Sequence, residues 1–363
     1  PGMAAVVIDV AEGDVLAMVS LPLYDLSLAR YRYEDLAADA NQPLVNRVLN
    51  WHYPPGSVVK PVVLVAGLQT GLITPDEVIS CPSRYAPQGW PSCWIFRSNG
   101  YGHDKLWPNA NYARNAIKGS CNIYFSRLAD RIEPRTLQEG LFAFGYGRQA
   151  QFAYPITENP NDQTSPDPTS RRLRQVSGQI SSRPEYGAFI QGLDQIPPLD
   201  PGDRALVGIG EDKFLASPIQ VAGAMAALAR HGVYKPPRLF LPSDANSPSP
   251  SSSPDKTTNL GLAEQTLETV YEGLYAVVNE PNGTANLAFK NHPPAQQGLS
   301  VYGKTGSTQR PDHAWFAGFA KDSAGRTIAL ALVVEGGQSG SSDAAPLGRE
   351  IIGFCVEAGY LGR

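Results

Sequence analysis

The sequence predicts an α/β (α+β) fold: one antiparallel sheet of about five strands, built from both ends of the chain and flanked by helices, with an inserted and mostly helical lobe. Three observations predict it. Two β-branched, apolar runs open the chain, three further strand-like runs close it, and segments of helical length fill the middle. Residues 4–10 (AAVVIDV) and 15–21 (VLAMVSL) flank the turn AEGD and read as a hairpin. Pro54-Pro55-Gly56 is a strong breaker, after which residues 57–68 (SVVKPVVLVAGL) form an apolar helix, with Pro61 in the first turn, where its missing N–H costs little.

Residues 111–130 contain an amphipathic helix with Ile117, Ile123, Phe125 and Leu128 as its apolar side, and residues 137–146 look helical as well. Residues 217–231 (SPIQVAGAMAALARH) have a Ser-Pro start and a Gly232 stop, and residues 262–279 are helical again. Strands follow at 299–308, 314–320 and 327–335, and a last helix covers 346–361. The chain is then a single domain over 1–363, with a sheet lobe at about 1–45 and 290–363 and a helical lobe at about 46–289. Residues 155–203, rich in Pro, Asp, Ser and Gln, read as a long loop region, and the low-complexity stretch 241–259 as a mobile loop. A cleft between sheet and lobe is the natural place for a site.

Composition narrows the function classes. Hydrophobic residues are 42% and charged residues 18% of 363, as in a soluble globular protein, and the net charge of -4 with no dense Lys/Arg run argues against nucleic acid as a partner. No stretch reaches the length of a membrane span. The chain enters a strand almost at Pro1, which leads to the expectation of an anchor and a pedestal beyond this sequence.

Three short motifs carry chemistry. In Ser57-Val58-Val59-Lys60 the serine and lysine share a helix face, so the amine can reach the hydroxyl, and an apolar setting would depress the lysine enough to make it a base. About one S-x-x-K is expected by chance in a chain of this length, so the motif alone is weak. Ser120-Cys121-Asn122 offers a hydroxyl and an amide two positions apart; alone it reads as a polar patch on a helix. Lys304-Thr305-Gly306-Ser307 alternates a cation, two hydroxyls and a glycine along a strand, which suits recognition of a carboxylate beside a closely approaching backbone. Alone it is equally a glycine-containing strand with a surface lysine. Together and in this order, S-x-x-K, S-x-N and K-T-G form the signature shared by penicillin-binding proteins and serine β-lactamases.

The resemblance spans nearly the whole chain. Residues 4–25, NRVLNWHYPPGSVVKP (46–61), VGIGEDKFLASPIQVAGAMAALARHG (207–232), GKTGSTQ (303–309), HAWFAGFA (313–320) and SDAAP (342–346) resemble class B penicillin-binding protein transpeptidase domains of the elongation type. That resemblance implies the serine β-lactamase/transpeptidase-like fold and a D,D-transpeptidase of peptidoglycan synthesis that β-lactams acylate. It implies Ser57 as nucleophile, Lys60 as general base, Ser120 as proton relay and Asn122 as a hold on the substrate amide. It also implies Lys304 as electrostatic bias, Thr305 and Ser307 as carboxylate ligands beside Gly306, and the Ser57 and Ser307 N–H groups as the oxyanion hole. Catalysis would need no cofactor. The partners implied are D-Ala-D-Ala stem peptides, β-lactams and a SEDS-type glycosyltransferase reached through the absent N-terminal part, on the periplasmic face of the cytoplasmic membrane. Ser307 stands where Thr is commoner, and the 155–203 and 241–259 stretches match the family poorly.

Cys81, Cys93, His103 and Cys121 make a possible Cys₃His set for structural zinc, although the spacing x11, x9, x17 matches no short metal motif. Some elongation-type relatives carry a metal here, which the resemblance therefore implies. A Cys81–Cys93 disulfide with Cys121 as a buried thiol is the alternative. Cys355 reads as a core residue. Three other functions remain open at this level: a serine β-lactamase, which lacks support from an E-x-x-L-N motif; a D,D-carboxypeptidase; and a non-enzymatic β-lactam sensor.

Overall fold

Five strands share one antiparallel sheet, and most apolar β-branched residues of all but the edge hairpin strand are buried in it. A computed structural model describes residues 2–149, 151–152, 173–181, 190, 192–239, 257–309 and 311–362. Strands β1 (Met3–Asp9) and β2 (Val15–Leu21) form the expected hairpin, and β3 (Leu299–Thr308), β4 (His313–Asp322) and β5 (Thr327–Glu335) come from the other end of the chain. The order is β2-β1-β5-β4-β3, so the two ends meet where β1 pairs with β5, Met3 opposite Val334 and Asp9 opposite Ile328. Strand β3 lies at an edge of the sheet, with Lys304 opposite Ala317 and Gly306 opposite Trp315. An edge strand keeps one row of backbone groups available to another extended chain.

The helices that matter are α1 (Lys60–Gln69), α2 (Ala113–Lys118), α3 (Asn122–Arg131), α4 (Pro218–Ala229), α5 (Glu264–Asn279) and α6 (Ala345–Glu357). Helix α4 is apolar all round and buried from Pro218 to Leu228 against β1, β4 and β5, as a core helix must be. Its start is closed by Ser217 and Gln220 in a capping box. Helix α5 packs on β3 and α2, and α6 packs on β4 and β5.

Four expectations need adjustment. The segment at 57–68 opens as a 3₁₀ turn, Gly56–Val59, before α1 begins. The single helix expected within 111–130 is two helices, α2 and α3, parted at Gly119, Ser120 and Cys121, where Ser120 takes φ +55. The helix expected over 137–146 runs Pro134–Ala143. Of the 241–259 loop, residues 241–256 lie outside the described residues, while Thr258–Asn259 is not a loop end but a short strand paired with Val233–Tyr234. Much of 155–203 also lies outside; within the described part, Gln179–Ile180 pairs with Phe214–Leu215. Among the described residues no helix is long and apolar enough to cross a membrane.

Candidate active site

Residues 53–57 are held at four points before they reach Ser57. Tyr53 makes a two-way backbone bridge to Ala216, with N···O distances of 2.9 and 2.8 Å. The Tyr53 hydroxyl donates to Glu335 at 2.8 Å, and the same carboxylate oxygen accepts from Arg47 at 2.9 Å. The fully buried Trp315 donates its indole N–H to the Pro54 carbonyl at 3.0 Å. Gly56 donates its N–H to the Gly210 carbonyl at 2.8 Å, and a Cβ on Gly210 would stand 2.1 Å from the Gly56 oxygen. Gly210 sits at φ +80, so only glycine suits both its conformation and its neighbour.

The 3₁₀ turn that follows stacks residue i over i+3, which sets Ser57 and Lys60 on one edge. Lys60 is fully buried, and its Nζ donates to Asn122 Oδ1 at 2.7 Å, to the Ser120 carbonyl at 2.9 Å and to Ser120 Oγ at 3.3 Å. Lys304 is fully buried too; its Nζ donates to the same Ser120 Oγ at 2.8 Å and to the Thr305 carbonyl at 3.0 Å. The three motifs therefore meet at one hydroxyl. Among the described residues, however, Lys60 makes its hydrogen bonds to Ser120 and Asn122 and not to the Ser57 hydroxyl.

The electrostatics follow from burial. Loss of water pushes the Lys60 ammonium down to about 8, and it pushes Lys304 well below the usual lysine range, the neighbouring charge of Lys60 adding to the effect. Two ammonium groups converging on one oxygen in a dry site disfavour double protonation.

On the edge strand, Thr305 is buried and its hydroxyl lies 2.6 Å from that of Thr284, while exposed Ser307 accepts from the Gly340 N–H at 3.0 Å. Gly306 needs to be small: a Cβ there would meet the Pro55 carbonyl and Trp315 at 3.1 Å. Glu211, in the turn after Gly210, was not singled out from the sequence. Burial pushes its carboxyl up to about 7 against the opposing pull of Lys60 and Arg97, and it accepts a backbone hydrogen bond from Gln309. The signal that could have found it is its place directly after the glycine that packs on the Ser57 turn.

Cys81, Cys93, His103 and Cys121 come together, all buried, with one ligand atom each within 4.8 Å of the others. His103 Nδ1 faces Cys93 Sγ at 3.3 Å and Cys81 Sγ at 3.5 Å, while its Nε2 lies 2.9 Å from the Gly119 carbonyl. A carbonyl only accepts, so Nε2 carries the proton and Nδ1 keeps a lone pair toward the sulfurs. Tetrahedral zinc with ordinary bond lengths separates S from N by about 3.5 Å, so the donor set fits. All four cysteines are free thiols. No Cys81–Cys93 disulfide is formed here, and the two sulfurs lie close to each other, to Cys121 and to His103. Cys355 is buried in the core, as expected.

Residues 3–353 match the family described as penicillin binding protein transpeptidase domain. The chain belongs to that family. Its fold is the transpeptidase fold: PBP2 of Pseudomonas aeruginosa, crystallised in complex with WCK 5153, superposes with a TM-score of 0.72 at 28% identity, over 96% of this chain and 70% of that one. The peptidoglycan D,D-transpeptidase MrdA of Escherichia coli K12 is 29% identical over 356 residues, 93% of this chain and 52% of that protein. MrdA of Haemophilus influenzae is 28% identical over 376 residues, 97% of this chain and 52% of that protein. These relatives agree with the elongation-type, class B resemblance in the sequence. This penicillin-binding protein domain spans about half the length of the curated relatives it matches.

Proposed function

We propose that the domain is a peptidoglycan D,D-transpeptidase that forms an acyl-enzyme at Ser57. The observation that carries this reading is the convergence of Lys60 and Lys304 on Ser120 Oγ beside an edge strand bearing Thr305 and Ser307. In the first step the Ser57 oxygen attacks the penultimate carbonyl of a D-Ala-D-Ala stem peptide, and its proton passes to the neutral Lys60 amine. Ser120 Oγ accepts from both lysines, so its own proton is directed elsewhere and can go to the departing D-Ala nitrogen as the C–N bond breaks, while Lys60 passes the Ser57 proton on to Ser120. Asn122 holds the substrate amide, the hydroxyls of Thr305 and Ser307 take the terminal carboxylate, and backbone N–H groups of Ser57 and Ser307 stabilise the oxyanion. A second peptide's amine then attacks the acyl carbon, the Ser57 ester C–O bond breaks, and the proton lost by the amine returns to Ser57 through Ser120 and Lys60. β-Lactams enter at the first step.

The buried Cys₃His set would hold a structural zinc through Cys81, Cys93, His103 and Cys121, and the closed donor set leaves it no chemical step. Its effect would be to tie the 81–107 segment to the break that presents Ser120. Catalysis itself would use no cofactor. A periplasmic, membrane-anchored setting and a glycosyltransferase partner belong to the same reading. PBP2 of Helicobacter pylori has been solved in complex with MreC, which is a further partner to be tried.

One observation favours a second outcome of the acyl-enzyme. Glu211, held near neutrality, could take a proton from water and make the domain a D,D-carboxypeptidase. Supplying a pentapeptide donor with and without an amine acceptor separates the two. Cross-linked product with slow hydrolysis supports transfer, and release of D-Ala with no cross-link at any acceptor concentration rules it out.

A further inference from the structure

We propose that Thr284 is a specificity-determining positioning residue, which donates its hydroxyl proton to Thr305 and so turns the Thr305 proton toward a carboxylate. The inference rests on the reading above, in which Thr305 faces the terminal carboxylate of the donor. The two Oγ1 atoms are 2.6 Å apart, Thr305 is buried and Thr284 is half-buried, so the pair is a short, partly buried hydrogen bond. Each hydroxyl has one proton, and either can donate to the other.

A bound carboxylate removes that freedom. It has only acceptor oxygens, so Thr305 must spend its proton outward, and the short contact then survives only with Thr284 as donor. The position of Thr284 is secured by its backbone. Its N–H donates to the Lys118 carbonyl at 3.3 Å, and the next residue, Ala285, donates to Val277 at 3.0 Å.

Ser307 repeats the arrangement two residues along the same edge. Its Oγ accepts from the Gly340 N–H at 3.0 Å, which leaves its proton available too. A Cβ on Gly340 would stand 2.3 Å from the Gly306 carbonyl, so this donor approaches the strand only because residue 340 is glycine. Side chains 305 and 307 share one side of the strand. Each therefore accepts one hydrogen bond from the protein and keeps its proton for a ligand. Such a pair favours a carboxylate over an ester or amide, because the neutral groups gain less from two donors.

The test compares the parent with Thr284→Val, Thr284→Ser, Thr305→Val and the double variant Thr284→Val/Thr305→Val. Second-order acylation constants are measured with benzylpenicillin and with its methyl ester. Thr284→Val should slow benzylpenicillin by about tenfold while changing the ester by less than about twofold. Thr284→Ser should restore the parent value, and the double variant should be no slower than Thr305→Val. Melting temperatures accompany each protein, and Thr284→Ala replaces the valine if that variant fails to fold. Equal losses on acid and ester, an unaffected Thr284→Val, or multiplicative losses in the double variant would overturn the inference. A parent that forms no Ser57 adduct would overturn the underlying reading and this inference with it; an acylated parent with an unaffected Thr284→Val overturns this inference alone.

Discussion

Lys60 has to be neutral to take a proton from Ser57, yet its amine sits among three acceptors that favour the charged form. Burial decides the contest, bringing it down to about 8 from an ordinary value near 10.5. The neutral base is then the minor form below that pH and the major form above it. Acylation by benzylpenicillin should rise with pH through about 8 and level off, and stopped mixing between pH 6 and 9.5 measures it. A rate still climbing steeply at pH 9.5 would mean that Lys60 is not depressed. Removing the amine with Lys60→Ala should slow acylation by roughly 10²–10⁴-fold without unfolding the domain. The proposed roles rest on S-x-x-K and K-T-G, which name chemically suitable side chains. That Lys60 bonds to Ser120 and Asn122 was not legible, since it depends on a helix break that brings residue 120 to residue 60.

That break belongs to the scale of the element. Residues 111–130 read as one amphipathic segment because the apolar spacing continues across Ser120 and contains no proline. Cys121 then caps α3 with its sulfur, which accepts from the Tyr124 N–H at 3.4 Å. The same sulfur is a member of the Cys₃His set, and Gly119 accepts from both His103 and Trp94. The break is thus tied to the 81–107 segment from both sides. If zinc fills the set, chelation of the purified protein should release about one equivalent of metal and lower the melting temperature by on the order of 5 °C. Metal analysis alongside calorimetry reads both, and a protein with no metal and an unchanged melting temperature under chelator argues against zinc. Spacing alone left zinc and disulfide open; that the three sulfurs and His103 gather in one buried cluster appears only in three dimensions. Gly210 makes a matching prediction on the other side of Ser57. Gly210→Ala adds a strained φ costing about 1–2 kcal/mol and a collision with Gly56, so both stability and acylation should fall. Chemical denaturation and the acylation constant check the two losses together.

Across the whole molecule, the turn that carries Ser57 is fixed by residues far apart in sequence. Arg47, Tyr53 and Glu335 share one partly buried network in which Glu335 also accepts from the Gly2 N–H. The Arg47 side chain is 6% exposed, so Arg47→Ala leaves a carboxylate short of its partner and should cost about 3 kcal/mol. Urea denaturation measures that cost, and a change below about 0.5 kcal/mol would show that the ion pair does not hold the turn. The strand runs at both ends were legible in the alternation of β-branched residues, and β3 and β5 begin and end where the sequence pattern puts them. The pairing of β1 with β5, and the Tyr53–Ala216 bridge, were not, because nothing local records a partner hundreds of residues away. Family membership, the five-stranded sheet and the gathering of all three motifs at Ser120 support one account, in which Ser57 is acylated and holds the acyl group.

The most direct test of that account is the intact mass of the domain after incubation with a penicillin, followed over hours beside Ser57→Ala. The account predicts a one-to-one adduct on the parent that persists and is absent from the variant. An adduct that survives the loss of Ser57, or a folded parent that forms none, would contradict it.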